Sequence, residues 1–337
     1  QGDKLPTRLD QDFVDFIAEK INPVWAWKKI KATVVKTDPL STDFVKIQLR
    51  PNRNFPHSAL KAGQSVLLTV VVAGIRQQRS YSVVEVLASG DLILGVKAQG
   101  QVSNALHHLA QGAVVEISAP QGDFVLNATD RSILLIASGS GITAIYALLK
   151  QALALNTTAI DLIYFTRDDA FHVELMQLAQ QHAQFHYHHV NTLVQKQHVD
   201  LGLLEQLCPD YKNAMTYACG AAGMMQSLNQ IYQQQNLTAQ LKQEYFQLNV
   251  DESLPTQPVR FQRSQVEFTA DRNLLLSAEQ AGLKPTHGCR MGICNTCTCT
   301  KISGSTKNIF TGEIDHGSNT QIKLCISEPI SPVVIHL

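Results

Sequence analysis

Apolar and polar residues change rhythm several times along this chain of 337 residues, and each change marks a candidate boundary. At the start, Phe13, Val14, Phe16, Ile17 and Ile21 fall at helical spacing, and Asn22-Pro23 ends the run. This predicts an N-terminal helical segment over residues 1–28, packed on its neighbour, with Trp25 and Trp27 near its end. Residues 29–127 hold short β-type runs at 32–37, 44–49, 65–72, 81–86, 92–96 and 114–118, punctuated by Gly and Pro. One helical stretch, 103–109, interrupts them. Many short strands at this spacing predict a small antiparallel β-barrel.

At Ser132 the rhythm changes again. Residues 133–137 form a continuous apolar run, as a parallel strand buried on both faces requires. Helix-type stretches at 142–155, 172–181, 201–208 and 224–235 then alternate with strand-type stretches at 160–165, 185–190 and 214–218. The alternation predicts an α/β domain with a parallel sheet over residues 128–250. The Gln-rich stretch 226–243 keeps a Leu and Ile spacing that fits a surface helix. Residues 251–260 are polar, carry two prolines and read as a linker. Residues 261–337 open with a strand at 266–269 and a helix at 274–281, and form a third domain.

Composition narrows the function classes. Hydrophobic residues make up 45% of the chain, enough for a core in each domain. The formal net charge is zero, so nothing pulls the chain toward nucleic acid. No apolar run is long enough to span a bilayer. Five of the seven cysteines lie near the C-terminus, and four of them carry a pattern: Cys289, Cys294 and Cys297 in a C-x4-C-x2-C run, and Cys325 beyond it. That is the spacing with which plant-type ferredoxins ligate a [2Fe–2S] cluster. Gly292 stands where the loop must curl. An odd, tightly grouped cysteine set argues against a disulfide framework and for a reducing compartment, hence a cytoplasmic protein at the inner face of the membrane.

Other motifs are individually weak. Arg79-Ser80-Tyr81-Ser82 opens a barrel strand, where an arginine fork can hold a diphosphate and Tyr81 shares its strand face. Lys97 follows, and then Gly100, Val102 and Ser103 at a helix start, where free N–H groups favour an anion and Ser103 could serve simply as an N-cap. Gly139, Gly141 and Thr143 lie between a buried strand and a helix. Cys219-Gly220 ends another strand, where Cys219 alone would read as a small buried hydrophobe.

In this order and spacing the motifs resemble the ferredoxin–NADP reductase superfamily over residues 29–337. With the cysteine-rich end, the chain looks like the three-domain reductases of the phthalate dioxygenase reductase type. Asn22-Pro23-x-Trp25 and the string from Gly288 to Cys294 look most like the electron-transfer partners of membrane acyl-CoA desaturases. The resemblance implies a β-grasp fold for the third domain. It implies that Arg79 binds flavin phosphate, Tyr81 stacks on the ring, Ser82 sits by N5, and Gly100, Val102 and Ser103 line the flavin pyrophosphate. Gly139, Gly141 and Thr143 would line the nicotinamide dinucleotide, with Cys219 and Gly220 near the nicotinamide. Glu244-Tyr245-Phe246 matches the family's Glu-x-Phe and would place Phe246 by the flavin. Ala144 departs from the proline usual after Ile-Thr.

The expected cofactors are FAD, with FMN as the alternative, a [2Fe–2S] cluster, and NADPH, with NADH as the alternative. Arg167 could hold a 2′-phosphate, opposed by Asp168 and Asp169 beside it. The expected activity is electron transfer from NADPH through the flavin and the cluster to a protein acceptor, a desaturase or a Rieske-type oxygenase. The alternative of another class is a redox carrier or sensor without hydride transfer. A monomer is expected, with the N-terminal segment touching the membrane. Two features are discounted: His182, His186, His188 and His189, which have no carboxylate or cysteine near them in sequence, and Cys299, read as packed beneath the cluster loop.

Overall fold

A computed structural model describes residues 19–20, 22–72, 74–155, 157–246 and 255–337. The apolar stripe from Phe13 to Ile21 lies outside them. The segment behind it turns at Asn22, whose carbonyl accepts from Trp25 N. Asn52 and Asn54 then strap residues 24–29 to the barrel through the carbonyls of Val24, Ala26 and Lys29. Trp25 and Trp27 remain 55% exposed.

Six strands close into a barrel: β1 (Lys31–Ser41), β2 (Phe44–Pro51), β3 (Ser65–Val72), β4 (Ile75–Val86), β5 (Leu92–Lys97) and β6 (Val114–Ile117). Their order, β1-β2-β5-β4-β3-β6, leaves no open edge to pair with another chain. Alternate residues such as Val34, Ile47, Leu49, Leu68 and Leu94 fill the interior. Helix α1 (Gln101–His107) covers one end through Val102 and Leu106.

The second unit is a five-stranded parallel sheet of β7 (Ser132–Ser138), β8 (Ala159–Thr166), β9 (Phe185–Asn191), β10 (Met215–Gly220) and β11 (Leu241–Tyr245), ordered β11-β10-β7-β8-β9. Helices α2 (Ile142–Ala154) and α3 (His172–Gln181) pack on one face together with the barrel residues Phe44, Val84 and Phe124. Helices α4 (Leu201–Leu207) and α5 (Ala222–Gln234) cover the other. The order in which strands are added reverses between β7 and β10, and the ends of these two parallel strands frame a crevice.

The third unit opens with β12 (Gln257–Phe261) and β13 (Val266–Ala270), followed by α6 (Leu274–Gln280) and β14 (Thr298–Ser303). The small strands β15 (Thr306–Asn308), β16 (Ile314–Asp315), β17 (Thr320–Lys323), β18 (Ser327–Pro329) and β19 (Val333–Ile335) complete it. Its main sheet runs β13-β12-β19-β14-β17, with a three-stranded ribbon beside it.

Two expectations are corrected here. Residues 257–260 of the expected linker are strand, because Val259 and Phe261 alternate into the core while Pro258 and Arg260 face out. The helix expected at 224–235 is found at Ala222–Gln234, but the end of the Gln-rich stretch, which fitted a surface helix, instead enters Leu241–Tyr245, an edge strand beside β10. Among the described residues no helix is long and apolar enough to cross a membrane.

Candidate functional site

The four expected metal ligands are brought together. Cys289, Cys294, Cys297 and Cys325 are each 3% exposed or less. They fall into two pairs. Cys289 and Cys294 share a side-chain hydrogen bond, and Cys297 Sγ lies 3.3 Å from Cys325 Sγ. A single metal ion would need its sulfurs mutually close, yet no three of the four form a group within 4.8 Å. Two thiolate pairs fit a two-iron cluster with one pair on each iron. The loop already aims donors at sulfur: Met291 N and Cys294 N donate to Cys289 Sγ at 3.4 and 3.3 Å, and Cys289 N donates to Cys294 Sγ at 3.3 Å. Arg290 and Gly292 take positive φ of 63° and 74° to make this curl, which Lys323 Nζ closes by donating to Gly292 O. Cys299 lies on β14 in the core beneath the loop, its thiol pushed up to about 12 by burial and then by Cys297.

The cluster loop rests on the barrel. Leu67 of β3 packs with Cys289 and Cys294, flanked by Met291 and Ile293. Strand β4 runs beside β3 with Arg79 opposite Leu68, Tyr81 opposite Val66 and Ser82 opposite Ser65. A cleft of about 610 Å³ therefore forms between barrel and loop. Arg79, Tyr81, Ser82, Lys97, Gly100, Val102, Ser103 and Phe246 line it, and so do Cys289, Arg290, Met291 and Ile293.

The donor set in this cleft fits a dinucleotide flavin. Arg79 donates to Gln78 O at 2.8 Å and has no carboxylate at ion-pair distance among the described residues. Burial and the neighbouring Arg290 both hold its pKa below the ordinary value, a strain that a bound diphosphate would relieve. Burial pushes the Tyr81 phenol up to about 12, so it stays neutral. Gly100, not Ser103, is the cap of α1. The Ser103 hydroxyl accepts from Gln99 N and Gly100 N at 2.8 and 3.0 Å, which shapes the turn.

A second cleft, about 1030 Å³, opens at the carboxyl ends of β7, β8 and β10. Gly139, Gly220, Arg167, Lys196 and His198 line it, and Lys97 and Phe246 border both clefts. Lys97 pairs with Asp168 at 2.8 Å, which helps hold that carboxyl below its ordinary range. One of the two carboxylates expected to oppose a phosphate is thus already neutralised. Lys196 and His198 carried no sequence signal, because they sit on an irregular loop after β9.

Three coenzyme residues are placed differently from expectation. Gly141 lines neither cleft, since its Cα hydrogens face Cys219 O and a Cβ would lie 2.1 Å from that atom. Thr143 faces the smaller cleft, with its methyl against Gly95 of the barrel. Cys219 is fully buried behind Gly220, its thiol pushed well up by burial and then by Glu244. Glu244, opposite Cys219 on β11, was read only as part of a family match. Its carboxyl is wholly buried, Oε2 has no partner, and burial followed by Asp123 raises it to about 8.

The histidine stretch also departs from expectation. His186 and His188 lie beside a carboxylate, Asp161, and Cys208 is close by. These partners are 20 or more residues away in sequence, which hid them from a local reading.

Comparison with known proteins follows the same division. A family model described as an oxidoreductase FAD-binding domain matches residues 31–126, an oxidoreductase NAD-binding domain matches 135–230, and a 2Fe-2S iron-sulfur cluster binding domain matches 259–328. The chain is 27% identical over 334 residues to an NADPH oxidoreductase of Mycobacterium tuberculosis, covering 94% of this chain and 86% of that protein. It is 24% identical over 319 residues to a glycine betaine monooxygenase reductase subunit of Chromohalobacter salexigens, covering 82% and 86%. Among solved structures, phthalate dioxygenase reductase aligns with a TM-score of 0.62 at 24% identity, over 91% of this chain and 97% of that one.

Proposed function

We propose, from the premise that this chain is a three-domain flavin/[2Fe–2S] oxidoreductase of the ferredoxin–NADP reductase superfamily, that it draws electrons from NADPH and passes them singly to a protein acceptor. The observation that carries the reading is the shared cleft. Barrel residues Tyr81 and Ser82, Phe246 after β11 and Cys289 of the cluster loop line one cavity.

In this reading each lining residue has a task. Arg79 binds the flavin diphosphate with its fork of N–H donors. The α1 turn from Gly100 through Val102 to Ser103 takes the second phosphate, which favours FAD over FMN. Tyr81 lies against the ring and keeps water off it, and the buried Ser82 hydroxyl holds the ring edge. Gly139 and Gly220 let the coenzyme approach the backbone, and Arg167 and Lys196 hold a 2′-phosphate. Phe246 borders both clefts and would shield the flavin site on its coenzyme side. Cys219 and Glu244, both neutral behind Gly220, position that turn. A flavin bound here accepts a two-electron hydride and releases electrons one at a time, which joins the coenzyme to a one-electron cluster.

For the acceptor, the reading is a membrane acyl-CoA desaturase, supported by the half-exposed Trp25 and Trp27 on a segment that resembles such reductases. An oxygenase component is the second reading, favoured by the glycine betaine monooxygenase reductase subunit among the relatives. Rapid mixing with NADPH should bleach the flavin absorbance first and the cluster absorbance next. Absence of flavin bleaching would return the chain to a carrier or sensor. Co-sedimentation with desaturase-containing membranes should fall when residues 1–27 are removed, and equal binding would favour the oxygenase.

A further inference from the structure

We propose that Asp161, His188 and Cys208 form a binding site for one zinc-class divalent cation, with His186 at its mouth, at the end of the parallel sheet opposite the coenzyme cleft. The site is built by register. Strands β8 and β9 pair with Asp161 opposite His186 and Ile163 opposite His188. Side chains alternate along a strand, so Asp161, His186 and His188 share the face that α4 covers. Cys208 caps the end of α4 over this face, in one core cluster with Ile163, Val190, Leu203 and Leu204.

The distances suit a tetrahedral ion. His186 Nδ1 and His188 Nε2 each lie 3.4 Å from Asp161 Oδ1. Zn–N and Zn–O bonds of about 2.0–2.2 Å place neighbouring ligand atoms roughly 3.3–3.5 Å apart in a tetrahedron. One ligand atom from each of Asp161, His188 and Cys208 already falls within 4.8 Å of the others, so a small closing movement brings the three to tetrahedral separation. An ordinary His–Asp pair would account for one imidazole on the carboxylate. It does not account for a buried free thiol converging on the same carboxylate and imidazole. The donor set of one nitrogen, one oxygen and one sulfur, with a position left for water, selects a borderline ion such as zinc over magnesium or calcium, which seek oxygen.

The site is remote from the redox chemistry. Five strand residues, roughly 17 Å, separate Asp161 from Thr166 at the coenzyme end of β8. His186 is exposed and gives the ion a way in, while Cys208 closes the inner side. The ion would tie the edge strand β9, its neighbour β8 and helix α4 together, three segments distant in sequence. That is a structural clip, and it would stabilise the folded chain by mass action.

The test uses the flavin- and cluster-loaded enzyme dialysed to equilibrium against micromolar zinc chloride, with zinc and iron counted per chain. One zinc is expected beyond the full iron complement, together with a zinc-dependent rise in melting temperature. His188→Ala and Cys208→Ala should each weaken zinc binding at least tenfold and remove that rise, with ferricyanide reduction unchanged. His188→Ala alters a partly exposed side chain, so it decides the question even where Cys208→Ala folds poorly. No retained zinc, equal retention by wild type and His188→Ala, or zinc gained only as iron is lost would each overturn the site.

Discussion

Glu244 sits on β11 with its carboxyl wholly buried and one oxygen unpartnered, and burial raises it from 4.5 to about 8. The sign of its effect follows from proton counting. Between these two values the folded chain holds a proton that the unfolded chain releases, so stability is full below about 4.5 and is lost as pH rises through about 8. The slope from one such group is at most about 1.4 kcal/mol per pH unit. Glu244→Gln should remove it. Melting curves should show wild type losing ground steadily against the variant from about pH 5 to about 8 and levelling off above it, and a constant gap would contradict the buried neutral carboxyl. At the same scale, Arg167→Ala and Lys196→Ala should each raise the KM for NADPH roughly tenfold, about 1.4 kcal/mol, while leaving KM for NADH near its original value. Steady-state kinetics with both coenzymes checks this. Arg167 was legible because it follows a strand end directly. Lys196 was not, because only the fold of its loop brings it to the same cleft.

The cluster loop shows how tightly an element can constrain a residue with no side chain. A Cβ on Gly288 would lie 2.9 Å from both Cys294 Sγ and Thr296 Oγ1 and 3.2 Å from Leu67 Cδ1. All three neighbours belong to the cluster loop or to the strand beneath it, so none can retreat freely. Gly288→Ala should lower the iron content of the purified protein and cost about 1–3 kcal/mol of stability, read from elemental analysis and thermal melts. Full iron content would mean the loop is looser than described. Elements with strong apolar runs, such as β7 and α2, were legible from rhythm alone. Two others were not. Pro258 and neighbouring polar residues disguised β12 as a linker, although the alternation of Val259 and Phe261 carried the strand signal. At the start of β11 the Leu and Ile spacing of the preceding Gln-rich stretch suggested helix, and pairing with β10 decided otherwise, as tertiary context does for short segments.

At the scale of the whole molecule, the barrel, the sheet and the cysteine-rich domain meet around one cleft. A contact away from it fixes the third domain to the second. Tyr245 and Phe310 stack with ring centroids 4.2 Å apart and planes 13° from parallel, and the Tyr245 hydroxyl donates to Phe310 O at 3.0 Å. Such a pair contributes about 0.5–1.5 kcal/mol beyond its buried area. Phe310→Ala should therefore slow cluster reduction in stopped-flow traces several-fold and leave flavin reduction by NADPH unchanged. Three domains were legible from motif order, because each motif is local. Their meeting was not, since no local pattern records that Leu67 lies under Cys289.

In the proposed route electrons leave only through the cysteine-bound cluster beside the flavin cleft. Cys294→Ser tests it most directly. Activity with ferricyanide, which takes electrons from the flavin, and with cytochrome c, which takes them from the cluster, is measured on the same preparation. Cytochrome c reduction should be lost and ferricyanide reduction kept. Cytochrome c reduction at the wild-type rate would contradict it.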